Sequence, residues 1–171
     1  MYPLVSFIVP AYNHERFVIK CLNSIRDDSY PNKELVIIDD GSKDNTKSVV
    51  SDWINKEAGD LDAEFYSREN KGVTATLNEL VSISKGKYIV PIGSDDYLLN
   101  HMTKYRVNYL ESNVTKFAVF GDCIVVNDSG LLVNESGLTY LREGGVDVYR
   151  LDDSLAHEII MNWSIPGPVL M

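Results

Sequence analysis

The sequence predicts an α/β fold in which a mostly parallel sheet is flanked by helices. In the first half of the chain, apolar runs typical of buried strands alternate with runs whose apolar residues recur at helical spacing. This alternation favours parallel strands, because right-handed crossovers place the connecting helices against the faces of the sheet. A turn signal at Asn127-Asp128-Ser129-Gly130 adds a late antiparallel hairpin to the prediction.

The first predicted unit is a strand, a helix and a second strand. Residues 4–9 are rich in β-branched side chains and are followed by Pro10, which predicts a buried strand ending in a turn. Apolar positions at helical spacing predict a helix over residues 15–28, and a second strand follows at residues 34–38. The polar segment Asp44-Asn45-Thr46 then predicts the start of the next helix.

The remaining elements repeat this pattern. A third strand is predicted at residues 63–66, a helix carries apolar positions from Val73 to Ile83 and ends at Gly86, and a fourth strand covers residues 87–92. An amphipathic stretch follows at residues 102–110. Extended runs at residues 117–120 and 123–126 are expected to pair antiparallel with the edge of the sheet.

Length and charge narrow the class of protein. The 171 residues predict a single domain over residues 1–171, and the net charge of −9 argues against a nucleic acid partner because it repels a polyanion. No stretch approaches the roughly 18 to 20 consecutive apolar residues of a membrane span. The N-terminus lacks the layout of a signal peptide, so we expect a cytoplasmic protein.

Acidic residues follow two of the predicted strands. Asp39 and Asp40 come after the second strand, and Asp95 and Asp96 come after the fourth. Ligands of open α/β sheets bind at the carboxyl ends of the strands, so we expect the two acidic pairs to share one site. Asp95 and Asp96 are hard oxygen ligands of the kind that Mg²⁺ or Mn²⁺ prefers.

Three motifs in order carry a resemblance to a known family. They are VSFIVPAYN from Val5, YPNKELVIIDDGSKDNT from Tyr30 and ENKGVTATLNELVSISKGKYIVPIGSDDY from Glu69. Over residues 4–100 the chain resembles the N-terminal half of a family 2 glycosyltransferase of the Rossmann-like GT-A fold. The resemblance implies a nucleotide-sugar donor, usually a UDP-sugar, a divalent metal (Mn²⁺ or Mg²⁺) and an acceptor hydroxyl that attacks with inversion. It also implies a glycan or lipid-linked acceptor in cell-surface polysaccharide or lipid-linked glycan synthesis, at the inner face of the membrane in the full-length protein.

The resemblance also assigns roles to single residues. Pro10 and Tyr12 offer a rigid turn and an aromatic face for a pyrimidine, and Asp40 an acceptor for the uracil imide proton. The alternatives for three others stay open: Glu15 as a ligand contact or a helix-dipole acid, Lys71 as a phosphate contact or a solvated turn residue, and Asp44 as a helix cap. The predicted nucleotide site comprises Pro10, Tyr12, Asn13, Glu15, Asp39, Asp40, Lys71 and Asn78, and the predicted metal ligands are Asp95 and Asp96.

The chain departs from the family pattern at two positions and leaves one role unfilled. Gly93 stands where an additional acid is usual, and Leu77 stands where an arginine commonly precedes the position of Asn78. Inversion requires a general base, and neither Asp122 nor Glu158 is singled out. A segment at residues 165–168 resembles the one that precedes the acidic motif of the base, so we expect the base beyond Met171, in a domain truncated at its C-terminus.

Two other functions compete with the enzyme. A nucleotide-sugar-binding module without turnover would keep the donor site and lack the base. A phospho-accepting receiver domain would use Asp39 and Asp40 as its acidic pair. Receivers place that pair after the first strand, whereas here the acids follow the second and fourth predicted strands, which disfavours this interpretation.

Overall fold

The fold was analysed in a computed structural model, which describes residues 1–140. The described residues divide between two compact units, residues 1–119 in the first and residues 120–140 in the second. The prediction of a single domain extends over residues outside the described part and stays a prediction.

The first unit consists of four strands and four helices that alternate along the chain. They are β1 (Val5–Ala11), α1 (Val18–Asp27), β2 (Lys33–Asp39), α2 (Thr46–Glu57), β3 (Asp62–Ser67), α3 (Val73–Ile83), β4 (Tyr88–Pro91) and α4 (Met102–Ser112). The described part of the second unit contains β5 (Val125–Val126), β6 (Leu132–Asn134) and the short helix α5 (Gly137–Tyr140).

The four strands of the first unit form one parallel sheet in the order β3-β2-β1-β4. Phe7 of β1 lies beside Leu35 of β2 on one side and Val90 of β4 on the other. The chain therefore steps outward from β1 to β3 and then crosses back to the far side of β1. Such a reversal of strand order creates a crevice at the carboxyl ends of the strands, where α/β proteins bind ligands.

Alternate residues of the central strands pack against different helices. Phe7 and Val9 of β1 join a core with α1, α2 and α4, to which Trp53 contributes a large buried ring. Ile8 of β1 faces the opposite way and packs in a smaller cluster with Leu80 of α3. Both faces of the sheet are thus covered, as the alternating pattern predicts, and only the strand ends stay open to a ligand.

The structure differs from the prediction at two boundaries, the start of α1 and the end of β1. Helix α1 begins three residues later than predicted, because residues 15–17 form a turn in which the N–H groups of Phe17 and Val18 donate to the carbonyl of His14. Pro10 lies within β1 and does not end it. Pairing with β4 stops at Ile8, so the missing N–H of Pro10 breaks no ladder on that side.

The late hairpin forms, but its predicted partner was wrong. Within residues 120–140, β5 and β6 pair antiparallel in a two-stranded sheet of their own. The polar groups of the turn form hydrogen bonds with one another. The Asn127 side chain accepts from the N–H groups of Ser129 and Leu131, and the Asn127 N–H donates to the Leu131 carbonyl. Residues 117–119 form no strand, and Phe120 makes only an isolated bridge.

No helix within residues 1–140 combines the length and apolarity that a membrane crossing requires.

Candidate functional site

A cavity of about 460 Å³ opens at the carboxyl ends of β1, β2 and β4. Both acidic segments reach it, Asp40 from the end of β2 and Asp95 from the loop after β4. The cavity is lined by Pro10, Ala11, Tyr12, His14, Asp40, Asn70, Gly72, Val73, Thr76, Gly93, Ser94 and Asp95. Of the residues predicted from the sequence, Pro10, Tyr12, Asp40 and Asp95 are therefore brought together.

The loop after β1 holds Tyr12 at the mouth of this cavity. Asn13 adopts a left-handed backbone with φ of 55°, which asparagine tolerates better than most residues. Its side-chain oxygen accepts from the Lys43 N–H at 2.8 Å, and its own N–H donates to the Ser42 hydroxyl at 2.9 Å. The Tyr12 ring keeps 41% of its surface exposed, so it is available to a planar ligand.

Glu15 and Asp44 bind this loop to the start of α2. The Glu15 carboxylate accepts from the N–H and the side-chain amide of Asn45 at 2.8 and 2.7 Å. The Asp44 carboxylate accepts from the N–H of Thr46 at 2.9 Å and from the N–H of Glu15 at 3.1 Å. Asp44, the residue before the N-cap Asn45, thus caps the first N–H of α2 with its side chain, and Glu15 places its charge at the N-terminal end of α2, not of α1.

Asp40 is a buried carboxylate, 4% exposed, at the floor of the cavity. One of its oxygens, Oδ1, accepts from the N–H of Lys71 at 2.8 Å and from the Arg68 guanidinium; the other, Oδ2, accepts from the N–H of Gly72 at 3.0 Å. Burial raises the pKa of Asp40, but the hydrogen bonds from Lys71 and Arg68 outweigh it and hold that pKa below its usual value. The side chain is therefore ionised at neutral pH and can only accept hydrogen bonds.

Arg68 is a residue that the sequence analysis missed. It follows β3, and its guanidinium reaches Asp40, the Thr76 hydroxyl at 2.9 Å and the Glu79 carboxylate at 2.8 Å. A single arginine after a short, half-exposed strand carries no signal in one sequence. Its position depends on how the β3–α3 loop folds over the end of β2.

Three other predicted residues lie beside the cavity without lining it. The buried carboxylate of Asp39 accepts from the N–H of Ser42 at 3.3 Å and from the Ser67 hydroxyl at 3.0 Å, so it shapes the turn after β2. The Lys71 ammonium is exposed, 3.9 Å from Glu79. Asn78 lies exposed on α3. Direct nucleotide contacts by Asn13, Glu15, Asp39, Lys71 and Asn78 stay predictions.

Asp95 and Asp96 converge above Gly93. A Cβ atom on Gly93 would lie 2.9 Å from Asp95 Oδ1 and 2.8 Å from Asp96 Oδ2, so both oxygens face the space that a side chain would fill. Burial raises the pKa of Asp96 to about 6, and the neighbouring charge of Asp95 adds to the rise. Two carboxylates held this close repel each other, and a cation between them would relieve the repulsion.

His14, to which the sequence analysis gave no role, also enters the cavity. Its Nδ1 lies 2.7 Å from the Ser94 hydroxyl and 3.8 Å from Asp95 Oδ1. Beneath it, the buried Cys21 thiol donates to the Gly93 carbonyl at 3.5 Å. Burial, followed by the charges of Asp96 and Asp95, raises the pKa of Cys21, so this thiol packs and is not a nucleophile.

Comparison with known proteins decides the family. The model of "Glycosyl transferase family 2" matches residues 6–143, which is most of the chain. This chain belongs to glycosyl transferase family 2. The matched range includes every strand of the parallel sheet and all of the cavity residues. The receiver interpretation of Asp39 and Asp40 is thereby excluded.

The relatives and structural neighbours of this family 2 chain include well-defined glycosyltransferases. It is 34% identical over 96 residues to a chondroitin synthase of Escherichia coli, an alignment covering 56% of this chain and 14% of the relative. TarS of S. aureus in complex with UDP-GlcNAc matches with a TM-score of 0.57 at 28% identity, covering 63% of this chain and 31% of TarS. The mannosyltransferase PcManGT of Pyrobaculum calidifontis, in complex with GDP-Man and Mn²⁺, matches with a TM-score of 0.59 at 28% identity, covering 64% and 33%. The sheet and helices of the first unit are therefore those of the GT-A fold.

The family 2 chain is shorter than these proteins. It spans between 14% and 44% of the length of the first curated relatives that it matches. Asp122, in the second unit, accepts from the N–H groups of Cys123 and Leu138. Burial opposes those bonds but does not outweigh them, and the pKa of Asp122 lies below its usual value, which suits a loop-holding acid better than a general base. Glu158 and residues 165–168 lie outside the described residues.

The acidic residues after β4 fit a divalent cation of the kind that the GT-A fold implies. Within residues 1–140 no cluster of three or more acidic, histidine or cysteine side chains could enclose a metal ion. Mg²⁺ and Mn²⁺ do not require such a cage, because they commonly bind to one or two carboxylates and complete their shell with water and substrate phosphates. Asp95 and Asp96, with their oxygens directed to one space, provide that kind of donor set.

Proposed function

We propose that this chain is the donor-binding part of an inverting, metal-assisted glycosyltransferase that uses a UDP-sugar. The observation that carries the proposal is that Asp40 and Asp95, from two different strand ends, line one cavity beside the exposed ring of Tyr12. One end of that cavity presents a hydrogen-bond acceptor and an aromatic face. The cavity also presents the carboxylate of Asp95, with that of Asp96 beside it over Gly93. A nucleotide diphosphate needs both kinds of contact at opposite ends of one molecule.

The nucleoside end of the proposed site consists of Pro10, Tyr12 and Asp40. The Tyr12 ring stacks against the pyrimidine, and Pro10 holds the strand end rigid beneath it. Asp40 accepts the imide N–H of uracil, since its second oxygen accepts from the Gly72 N–H and keeps acceptor capacity while the nearby Thr76 hydroxyl donates to the Gly72 carbonyl. A buried carboxylate with free acceptor capacity is a strong selector for a base that donates a hydrogen bond.

The diphosphate end consists of Asp95 and Asp96, with Lys71 nearby. A bound divalent cation supplies neutralisation of the negative charge that develops on the leaving nucleotide diphosphate. Asp95 and Asp96 hold that cation in place, and Gly93 leaves room for it. Lys71 adds a positive charge at the turn before α3, the helix in which Leu77 stands in place of the family's usual arginine.

The residues that would bind the acceptor and act as general base are not among those that form the donor site. We place the general base outside the described residues, and we assign a glycan or lipid-linked acceptor by analogy with the chondroitin synthase relative. We also propose a cytoplasmic location at the inner face of the membrane, as the family resemblance implies. A binding module without turnover is favoured by the low pKa of Asp122 and by Gly93 and Leu77. If a longer form of the protein consumes a UDP-sugar, the enzyme is supported and the binding module without turnover is ruled out.

Calorimetry with UDP tests the donor site. We expect UDP to bind in the presence of Mn²⁺ and more weakly in its absence. Asp40→Asn should weaken UDP binding by about tenfold or more, because a hydrogen bond to a charged group is lost, and Asp95→Asn should weaken the Mn²⁺-dependent part. Asp52→Asn, an exposed acid of α2 paired only with Lys56 among the described residues, is the matched control and should change neither. The proposal fails if UDP does not bind with or without metal.

A further inference from the structure

Arg68 sits behind the cavity wall and contacts both of the polar side chains that form its floor. Its Nη1 donates to Asp40, and its Nη2 donates to the hydroxyl of Thr76 at 2.9 Å. Asp40 and Thr76 both line the cavity, whereas Arg68 does not. Only 15% of the Arg68 side chain is exposed, so it acts on the cavity through these two neighbours.

Two further contacts fix the guanidinium itself. Nε donates to the Glu79 carboxylate on α3 at 2.8 Å, and Nη1 also donates to the Glu69 carbonyl at 2.9 Å. A planar guanidinium held at several points has little freedom to rotate, so it presents its N–H groups to Asp40 in one direction. The orientation of the Asp40 carboxylate is therefore set from outside the cavity.

The protein donors around Asp40 are distributed unevenly between its two oxygens. Oδ1 takes two donors, the Lys71 N–H and the Arg68 guanidinium, whereas Oδ2 takes the Gly72 N–H. The Thr76 hydroxyl also lies close enough to Asp40 to lower the pKa of that carboxyl, but it donates to the Gly72 carbonyl at 2.9 Å. A carboxylate offers about four acceptor positions, so capacity remains on Oδ2. Without Arg68, the carboxylate would keep the Lys71 and Gly72 N–H groups but lose its charged partner, which would make both its rotation and its protonation easier.

We propose that Arg68 is a positioning residue that keeps Asp40 an obligate hydrogen-bond acceptor and thereby selects the base of the donor. Bases with a ring N–H at the recognition edge, uracil and guanine, satisfy a fixed acceptor. At the same position cytosine has a ring nitrogen without a hydrogen, and the lone pair of that nitrogen is repelled by the Asp40 carboxylate. The inference rests on the proposed function, since it requires the base to meet Asp40.

The ratio of UDP to CDP affinity isolates this role. The two nucleotides share the diphosphate, the ribose and the metal, so changes in those contacts cancel in the ratio. Calorimetry of the whole chain with Mn²⁺ should show a preference for UDP, and Arg68→Gln should reduce that preference by about tenfold. In an Asp40→Asn background the same substitution should leave the ratio unchanged, because the two residues act through one contact.

The pH dependence of the ratio adds a second readout. The charged groups around Asp40 are Arg68 and Lys71 from the β3–α3 loop, Glu79 from α3 and Asp39 from its own strand. In the wild type the ratio should stay constant between pH 5.5 and 8, a range chosen to lie above ordinary carboxyl pKa values. In Arg68→Gln it should fall at the acidic end, because a protonated Asp40 can donate to the ring nitrogen of cytosine and accepts from uracil only through a neutral carbonyl oxygen.

Controls separate positioning from simple loss of structure. Arg26→Gln removes an arginine whose ion pairs, with Asp27 and Glu57, lie away from the cavity, and it should leave the ratio unchanged. Arg68→Lys keeps the charge, folds more readily than Arg68→Gln and should retain part of the preference. If Arg68→Gln lowers both affinities equally, or if the ratio changes to the same extent in the Asp40→Asn background, the inference is wrong. If Asp40→Asn itself leaves the ratio unchanged, the proposed base contact fails as well.

Discussion

Gly93 controls the space between the two acids after β4. An added Cβ would lie within 3.0 Å of an oxygen from each of Asp95 and Asp96, so both carboxylates would have to turn away. We therefore predict that Gly93→Ala weakens Mn²⁺ binding by about tenfold, the range seen when the orientation of metal ligands is disturbed. Titration with Mn²⁺ alone, followed by electron paramagnetic resonance, measures this.

Two comparisons make the Gly93 experiment decisive. Asp95→Asn removes a ligand oxygen's charge and should weaken Mn²⁺ binding more than Gly93→Ala does. Unchanged Mn²⁺ affinity in Gly93→Ala would show that the two oxygens do not share one cation.

Asp44 carries much of the ordering of the loop and of α2. Its carboxylate accepts from the N–H and the hydroxyl of Thr46 and from the N–H of Glu15. We predict that Asp44→Ala lowers the free energy of unfolding by about 1 to 2 kcal/mol, as for other lost helix caps. Urea denaturation measures the change. Asp52→Ala on the same helix removes only an exposed pair with Lys56 and should cost about 0.5 kcal/mol or less. Equal effects of the two substitutions would contradict the capping role.

The same cap predicts a pH dependence of stability. Burial raises the pKa of Asp44, but the hydrogen bonds from Thr46 and Glu15 outweigh it and hold that pKa below its usual value. A lowered pKa in the folded state means that the stabilisation is complete above the unfolded pKa of about 3.9 and is lost as the pH falls through the folded value. The stability difference between wild type and Asp44→Ala should thus be constant near neutral pH and shrink below about pH 4. A difference that grows with acidity would contradict this sign.

Gly86 fixes the connection between α3 and β4. A Cβ there would lie 2.7 Å from the Ser6 N atom and 2.8 Å from the Tyr88 carbonyl oxygen, and backbone atoms cannot move aside as side chains do. We predict that Gly86→Ala costs about 3 kcal/mol of unfolding free energy, the upper range for overpacking. Gly59→Ala meets nothing within 4 Å and incurs only the strain of its positive φ, about 1 kcal/mol. Thermal unfolding of both variants tests the contrast, and similar losses would refute it.

At the scale of the whole molecule, the parts of the fold set by local pattern could be predicted and the parts set by distant contacts could not. Periodicity in the runs around Phe7, Leu35 and Val73 identified the four parallel strands and their helices, because burial on both faces leaves a strong apolar signal. The turn residues located the late hairpin. They did not show whether its strands also pair with the main sheet, because the chemistry of a turn does not determine such pairing.

The residues of the candidate site also divide into those that could be predicted from the sequence and those that could not. Asp40 and Asp95 were predicted because strand ends of a parallel sheet meet at one edge, and their meeting in one cavity required no further information. His14, which lines the cavity, and Arg68, which contacts its lining residue Asp40, were missed, because their positions depend on loops whose course is set by contacts between distant residues. Glu15 was predicted at a helix terminus, but the helix that it serves is α2, which the chain reaches only later.

The central claim is that the two acidic strand ends hold opposite ends of one nucleotide. A crystal of this chain soaked with UDP and Mn²⁺ tests it most directly. The account predicts density that runs from a uracil ring against Tyr12 and Asp40 to a metal peak at Asp95 and Asp96. Nucleotide density that leaves Asp40 or the Asp95–Asp96 pair without contact would contradict it.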